Sequence, residues 1–392
     1  TERIAQKDLD RAAGIFQWNQ RLMSVLGLWP ENRNNLRFAI NFGYFSLFMI
    51  LEYLDLFIFI DNLEHVIMNL TENMAFSQIF VRMAMLRLYN NEIGDVIAEA
   101  KKDFDARNYK TVDEREAFIA YNSRSKTFVK LLMTFVALTA SSYYLTPILT
   151  VYIRNHKIAE NETQVLYILP YRFHVFDAVD DMQSYVFTYA IQLPFVFVSG
   201  FGQSAADCIM VTLVFHICGQ MSVLALRINK IDTDPRTCQM EMQSVVEMHV
   251  KLLRMGKAIE VAFSITLLAH LYGATSLVCI LGYQILTNFA NGEKTILITF
   301  VVFQFLVLLI LYAHCTVGES LLTESAKVRE AFYDCKWYEM SSETARYTIL
   351  SMGRGQRPLC LTAGKITMFC LSTLTDVLKT AMGYLSVLRT FL

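Results

Sequence analysis

Charge is scarce in this chain. Of 392 residues only 18% are charged, 54% are hydrophobic, and the mean hydropathy is +0.35. That is too apolar for a soluble globule and fits a polytopic membrane protein. Acidic and basic residues nearly cancel, to a net charge of −1, so charge points to no nucleic-acid partner. None of the eight cysteines forms a C-x-x-C pair, and none lies in the long loop expected outside the cell. This argues against an extracellular disulfide framework and against a zinc site. There is no H-E-x-x-H cluster, no Walker loop and no G-x-S-x-G. Nothing points to an enzyme, a metal or a cofactor. The first residues, TERIAQKDLDRAAG, hold no short apolar core with a cleavage site, so no signal peptide is expected. No internal repeat occurs, which leaves a transporter of inverted repeats unsupported.

What the chain has is long apolar runs. Residues 1–35 are polar with an amphipathic patch (Ile15, Phe16, Trp18, Leu22, Met23, Leu26, Leu28), read as a short helix on the membrane surface. Spans follow over 36–60, 63–88, 127–153, 183–218, 258–287 and 295–316, and the last stretch, 358–392, makes a seventh. Glu52 and Asp55 in the first span should face the bundle interior. The second span carries Asn69, Thr71, Glu72, Asn73 and Gln78. So many hydrogen-bonding groups are expected to border a cavity, or else to tie helices together.

Basic residues gather in 90–126, 220–257 and 319–357, which places these segments in the cytoplasm. The N-terminus is then cytoplasmic and the C-terminus extracellular. Asn161-Glu162-Thr163, a glycosylation sequon, falls in an outside loop, where Asn161 is accessible to that chemistry. The expected fold is all-α. Its parts are a cytoplasmic segment (1–35), six spanning helices (36–318), a cytoplasmic region (319–357) and a final helix (358–392).

That final helix carries its polar and small residues on one line. Ser372, Asp376, Lys379, Gly383, Ser386 and Thr390 are spaced 4, 3, 4, 3, 4. At about 100° per residue they all fall within roughly 40° of one line along the helix. A charge at mid-bilayer costs about 2.5–3.5 kcal/mol, so this stripe should face water or protein. Two readings stand: the wall of a water-filled path where several copies meet, or a helix inside a bundle with Asp376 and Lys379 paired locally.

The C-terminal half resembles the insect odorant receptor family. The residues that carry the resemblance are Ala331 to Tyr338 (AFYDCKWY), Ser342-Glu343, Pro358, Ala363-Gly364-Lys365 and Tyr384 to Leu388 (YLSVL). Phe215 to Gln220 (FHICGQ) and Leu169-Pro170-Tyr171 fit too. The resemblance implies a tetrameric, odorant-gated, non-selective cation channel of olfactory sensory neurons, assembled with the odorant co-receptor in the plasma membrane. The chain lacks the co-receptor's longer second cytoplasmic loop and so looks like a ligand-tuned subunit. The seventh helix would line the pore, the inner ends of the fourth to seventh helices would anchor the subunits together, and the gate positions would fall on Val387 and Phe391.

The family's odorant site lies in the outer half of each subunit, among the second, third, fourth and sixth helices. The matching candidates are Asn73, Met74, Ala140, Tyr144, Tyr185, Tyr189, Phe300 and Phe303. A gustatory-type receptor shares this plan, but Gly383-Tyr384 and Thr390-Phe391 only partly match its terminal pattern. A G-protein-coupled receptor would need the opposite orientation, an Asp-Arg-Tyr and an Asn-Pro-x-x-Tyr, and neither motif is present.

Overall fold

A computed structural model describes residues 2–158, 167–171, 173, 181–232, 234–291 and 294–388. Among these the chain is helical almost throughout. In order come α1 (Glu2–Val25), α2 (Asn35–Ile58), α3 (Leu63–Leu88), α4 (Asn90–Lys102), α5 (Val112–Ile158) and α6 (Met182–Asn229). Then follow α7 (Pro235–Asn291), α8 (Lys294–Asp334) and α9 (Ser342–Gly355). A hairpin of β1 (Thr362–Ala363) and β2 (Thr367–Met368) precedes α10 (Leu371–Leu388). The expected all-α class holds.

Local chemistry sets several helix starts. Asn34, Asn62 and Ser341 each sit just before a helix, and their side chains accept the otherwise orphaned backbone N–H of Arg37, His65 and Thr344. Among the described residues five helices are long and apolar enough to cross a membrane: α2, α5, α6, α7 and α8. With α3 and α10, which hydropathy alone does not single out, they make the seven spans of the sequence reading. At 1.5 Å per residue, 47 residues of α5 reach about 70 Å, over twice the roughly 30 Å hydrocarbon core. Beyond the spans α4 packs on α7 and α6, and α9 packs on α8 and α7.

α6 is the central post. Every residue from 204 to 221 is buried, and α5, α7, α8 and α1 all pack on it. The apolar face of α1 (Leu9, Ile15, Phe16, Met23) is sealed against α6 and α5. This differs from a helix lying on lipid: protein covers the patch except for the exposed Trp18, and Asn19 Nδ2 donates to Thr212 Oγ1 of α6 at 2.9 Å.

The last helix begins at Leu371, not at Pro358. Residues 358–370 instead form the hairpin, with Thr362 opposite Met368 and Ala363 opposite Thr367. Its three-residue turn, 364–366, puts Gly364 at φ 60° and Lys365 at φ 63°, and the Ile366 N–H donates to Ala363 O at 3.0 Å. The Gly364 N–H donates to Ser264 O of α7 at 2.9 Å, which fixes the turn to the bundle.

Candidate ligand cavity and outward-facing helix

The polar residues of α3 divide into two groups. Some tie helices together. Asn69 Nδ2 donates to Asp55 Oδ2 of α2 at 3.0 Å, His65 Nε2 lies 2.6 Å from the same oxygen, and Thr71 Oγ1 accepts from Gln284 Nε2 of α7 at 3.0 Å. Glu72 and Gln78 instead border a cavity of about 130 Å³ lined by α3, α5, α6, α7 and α8. Its walls are apolar, with Phe76, Val136, Ala140, Leu277, Phe303 and Val307 prominent. A dry cavity of about 150 Å³ holds benzene, so this one suits a single ring or a short chain.

One end is aromatic. Tyr143 and Tyr171 stack with centroids 5.6 Å apart and ring planes 17° apart, and the Tyr143 hydroxyl donates to Glu72 Oε1 at 2.8 Å. Tyr171 comes from the connection between α5 and α6. It is held there by Gln192, whose Oε1 accepts from Tyr171 N (3.1 Å) and whose Nε2 donates to Tyr171 O (3.3 Å).

The other end is ionic. One turn further along α6 and α8, and beside Gln78 on α3, lies a buried cluster. Arg82 Nε donates to Asp207 Oδ1 at 3.2 Å, Gln203 Nε2 donates to Asp207 Oδ2 at 2.5 Å, and His314 Nε2 lies 3.1 Å from Asp207 Oδ1. Arg82 Nη2 faces His270 Nδ1 at 3.1 Å, and the His270 and His314 rings meet edge-on at 4.7 Å. A buried carboxylate needs such partners, because an unpaired charge there is strongly unfavourable. Phe369, buried in the link between β2 and α10, closes the far side, 6.5 Å from His270 and 6.2 Å from His314. Gly318 of α8 makes room for it: a Cβ there would fall 1.9 Å from Phe369 O.

α10 packs against α7 and α8 through Thr373, Val377 and Ala381. Its opposite face is bare within the subunit. Ser372, Asp376, Lys379, Gly383 and Ser386 are all exposed, as is Val387. Asp376 and Lys379 do not pair with each other, so the locally paired buried helix is not what forms. Thr390, Phe391 and Asn161 lie outside the described residues.

Of the expected ligand contacts, Ala140 and Phe303 line the cavity. Phe300 lines a neighbouring recess with Thr146 and Thr299. Tyr144 lies on an open groove between α5 and α6 that shares Val136, Ala140 and Gly200 with the cavity. Tyr144 and Tyr189 form a clasp: the Tyr144 hydroxyl donates to Tyr189 O at 3.0 Å, the Tyr189 hydroxyl returns a bond to Tyr144 O, and the rings are 4.8 Å apart. Tyr185 donates to Ile168 O at 3.1 Å and holds the outer connection. Asn73 is buried and donates to Asn69, and Met74 is half-buried beside the core, so neither lines the cavity. Tyr143, Gln203 and His270 were not expected there. Among them His270 had a signal, as the only histidine in the fifth span.

Comparison with known proteins follows this geometry. The model of the family described as 7tm odorant receptor matches residues 62–382. Odorant receptor 13a of Drosophila melanogaster is 24% identical over 336 residues, covering 79% of this chain and 76% of that one. The odorant receptor coreceptor of the same species is 28% identical over 143 residues, 36% of this chain and 29% of its own. Several further Drosophila odorant receptors match over about half of their length. The structure of the insect olfactory receptor OR5 from Machilis hrabei in complex with eugenol superposes with a TM-score of 0.76 at 14% identity, over 97% of this chain and all of that one. The shared fold is thus similar along the whole chain.

Proposed function

Given that the chain belongs to the 7tm odorant receptor family, we propose that it is the ligand-tuned subunit of an odorant-gated, non-selective cation channel. The working assembly is a tetramer formed with the odorant co-receptor in the plasma membrane of olfactory sensory neurons. The N-terminus is cytoplasmic and the C-terminus extracellular. The layer built from α4, α9 and the long ends of α5 to α8, including 319–357, is the cytoplasmic anchor.

One observation carries this reading. The subunit leaves the polar stripe of α10 uncovered, Asp376 and Lys379 included, while it buries Glu52, Asp55, Glu72, Arg82 and Asp207 in other spans. A carboxylate and an ammonium cannot rest against lipid tails at that cost, so other copies or water must cover them. Meeting around an axis supplies both, with Asp376 ringing the conduit as a cation attractor. Val387, and Phe391 beyond it, sit at the outer mouth as the gate.

The cavity among α3, α5, α6, α7 and α8 is the odorant site. Ala140, Phe303 and the Tyr143–Tyr171 pair shape it, while Tyr144, Tyr185 and Tyr189 fix its outer rim. Eugenol, bound by the Machilis hrabei receptor, is a one-ring molecule of the same size class. Occupancy is transmitted downward. Gln78, Gln203 and His270 border both cavity and ionic cluster, and Phe369 joins that cluster to the start of α10. A ligand that fits better when the cluster shifts favours the open arrangement by that difference in affinity. Co-expression with the co-receptor and a panel of volatile odorants, read as whole-cell current, tests the proposal. Absence of any odorant-evoked current, with the protein at the cell surface, contradicts it.

A further inference from the structure

The groove between α5 and α6 and the cavity behind it are separate spaces with one wall in common. The groove measures about 460 Å³ and is lined mostly by apolar side chains, among them Met133, Ala137, Leu193, Val196 and Phe197. Val136 and Ala140 of α5 and Gly200 of α6 border both spaces. Val136 and Ala140 stand one helical turn apart and form a single row along α5. The partition is therefore one residue thick and built of small side chains, or of none.

Small residues in membrane helices ordinarily let two backbones approach closely. Gly202 of α6 does this: a Cβ there would fall 2.9 Å from Ile79 Cγ2 and from Met83 Sδ. Gly200 does not. The nearest atom that a Cβ there would meet is Val136 Cγ1, at 4.0 Å. Glycine inside a helix is less favourable than alanine, and at this position no close contact requires it. Its missing side chain leaves a gap between cavity and groove. Ala140 and Gly200 stay half-buried, as the lining of a gap does.

The groove looks onto lipid. Leu145, Leu193 and Phe197 along it are apolar and exposed, on the spans α5 and α6. α10, along which subunits meet in the channel reading, packs instead on α7 and α8. The Tyr144–Tyr189 clasp ties the two helices at the outer end, and Leu22 of α1 borders the groove at the other. Its free side is lateral, toward hydrocarbon.

We propose that this groove is the entry site for the ligand: neutral, apolar molecules dissolve in the bilayer, settle in the groove and pass the seam at Gly200 and Ala140 into the cavity. The inference rests on the reading of the cavity as the odorant site and adds a second, lipid-side site with its ligand class. Partitioning into hydrocarbon rises about fourfold with each methylene, so the bilayer concentrates such ligands beside the seam. Charged or strongly hydrated molecules are turned away at this step. A route changes the rates of arrival and departure by the same factor and leaves affinity as it was.

The test times currents from the full chain expressed with the co-receptor. Odorant steps are applied where the rate of onset rises linearly with concentration, so that arrival and not gating is measured. Gly200→Ala and Gly200→Val fill the seam in two steps, and Ala137→Phe fills the groove from a position that does not line the cavity. Onset and washout are expected to slow together, several-fold in Gly200→Val and Ala137→Phe and less in Gly200→Ala. Potency in Ala137→Phe is expected to stay near that of the wild type. If Gly200→Val fails to reach the surface, Gly200→Ala and Ala137→Phe still decide. Unchanged time constants in the variants overturn the inference, and so does a change in only one of the two in Ala137→Phe, which is a change of affinity. Kinetics that respond to Tyr189→Phe, which loosens the clasp, but not to the seam variants also overturn it, in favour of entry at the outer rim. The cavity reading is judged apart: potency insensitive to Phe303→Ala overturns that reading, whatever the time constants show.

Discussion

Arg82 donates to Asp207 across 3.2 Å with the two side chains only 1% and 2% exposed. The pair joins the second and fourth spans at the base of the cavity. Removing one partner leaves a buried charge alone, which costs about 3–5 kcal/mol. Arg82→Met and Asp207→Leu singly should therefore abolish surface expression or lower the unfolding midpoint sharply. The double replacement removes both charges and should recover much of the loss. Wild-type thermal stability in either single variant contradicts this.

Phe303 lines the cavity, whereas Tyr144 belongs to the clasp at the outer rim. Phe303→Ala removes apolar contact worth about 1.5–3 kcal/mol if the ligand packs on it, a loss of roughly tenfold or more in potency. Tyr144→Ala should shift potency less. Neither should alter the relative permeability of sodium and potassium. A permeability change in Phe303→Ala would mean that cavity and pore have been confused.

Gly318 lets Phe369 O approach to within a distance that no side chain tolerates. Gly318→Ala must push apart α8 and the entry to α10. The expected result is leak current without odorant, or loss of response, with the protein still at the surface. Gly353→Ala on α9 has open space around the new Cβ and serves as the control with unchanged gating.

His249, on α7 before the fifth span, packs against Phe332 with ring centroids 5.6 Å apart. Burial first, then the charge of Arg354, lower its pKa to about 4. The folded value lies below the unfolded one of about 6.5, so the unfolded chain takes up the proton first. Stability from this group is whole above about pH 6.5 and is lost as pH falls toward 4. Between pH 7 and pH 5 the loss is about 2 kcal/mol. Purified protein should unfold at lower temperature at pH 5 than at pH 7, and His249→Phe should remove part of that difference. An identical pH response in the variant contradicts the assignment.

The spans were legible because apolar runs of membrane length have few other uses. The hydrophilic line on α10 was legible because helical spacing alone places Ser372, Asp376 and Lys379 on one side. The start of that helix was not. The hairpin at 362–368 depends on Gly364 bonding to α7 and on Lys365 in a left-handed conformation, and no local propensity announces either. The patch on α1 was visible, but lipid and a protein groove ask for the same pattern, and packing on α6 decided between them. The cavity was half legible. Depth along the sequence led to Ala140 and Phe303, which line it. The rotation of each helix about its axis, set by tertiary packing, turned Tyr185 and Tyr189 to the rim and His270 into the space.

The orientation of α10 is the claim on which the channel reading stands, and substituted-cysteine accessibility measures it most directly. Single cysteines at Ser372, Asp376, Lys379 and Gly383, and at Thr373, Val377 and Ala381, would be expressed with the co-receptor and exposed to a charged thiol reagent during odorant application. The first four should react and block current, and the last three, packed on α7 and α8, should not. Block from Val377 and Ala381, with Asp376 and Lys379 unreactive, would contradict a water-filled path along the polar face.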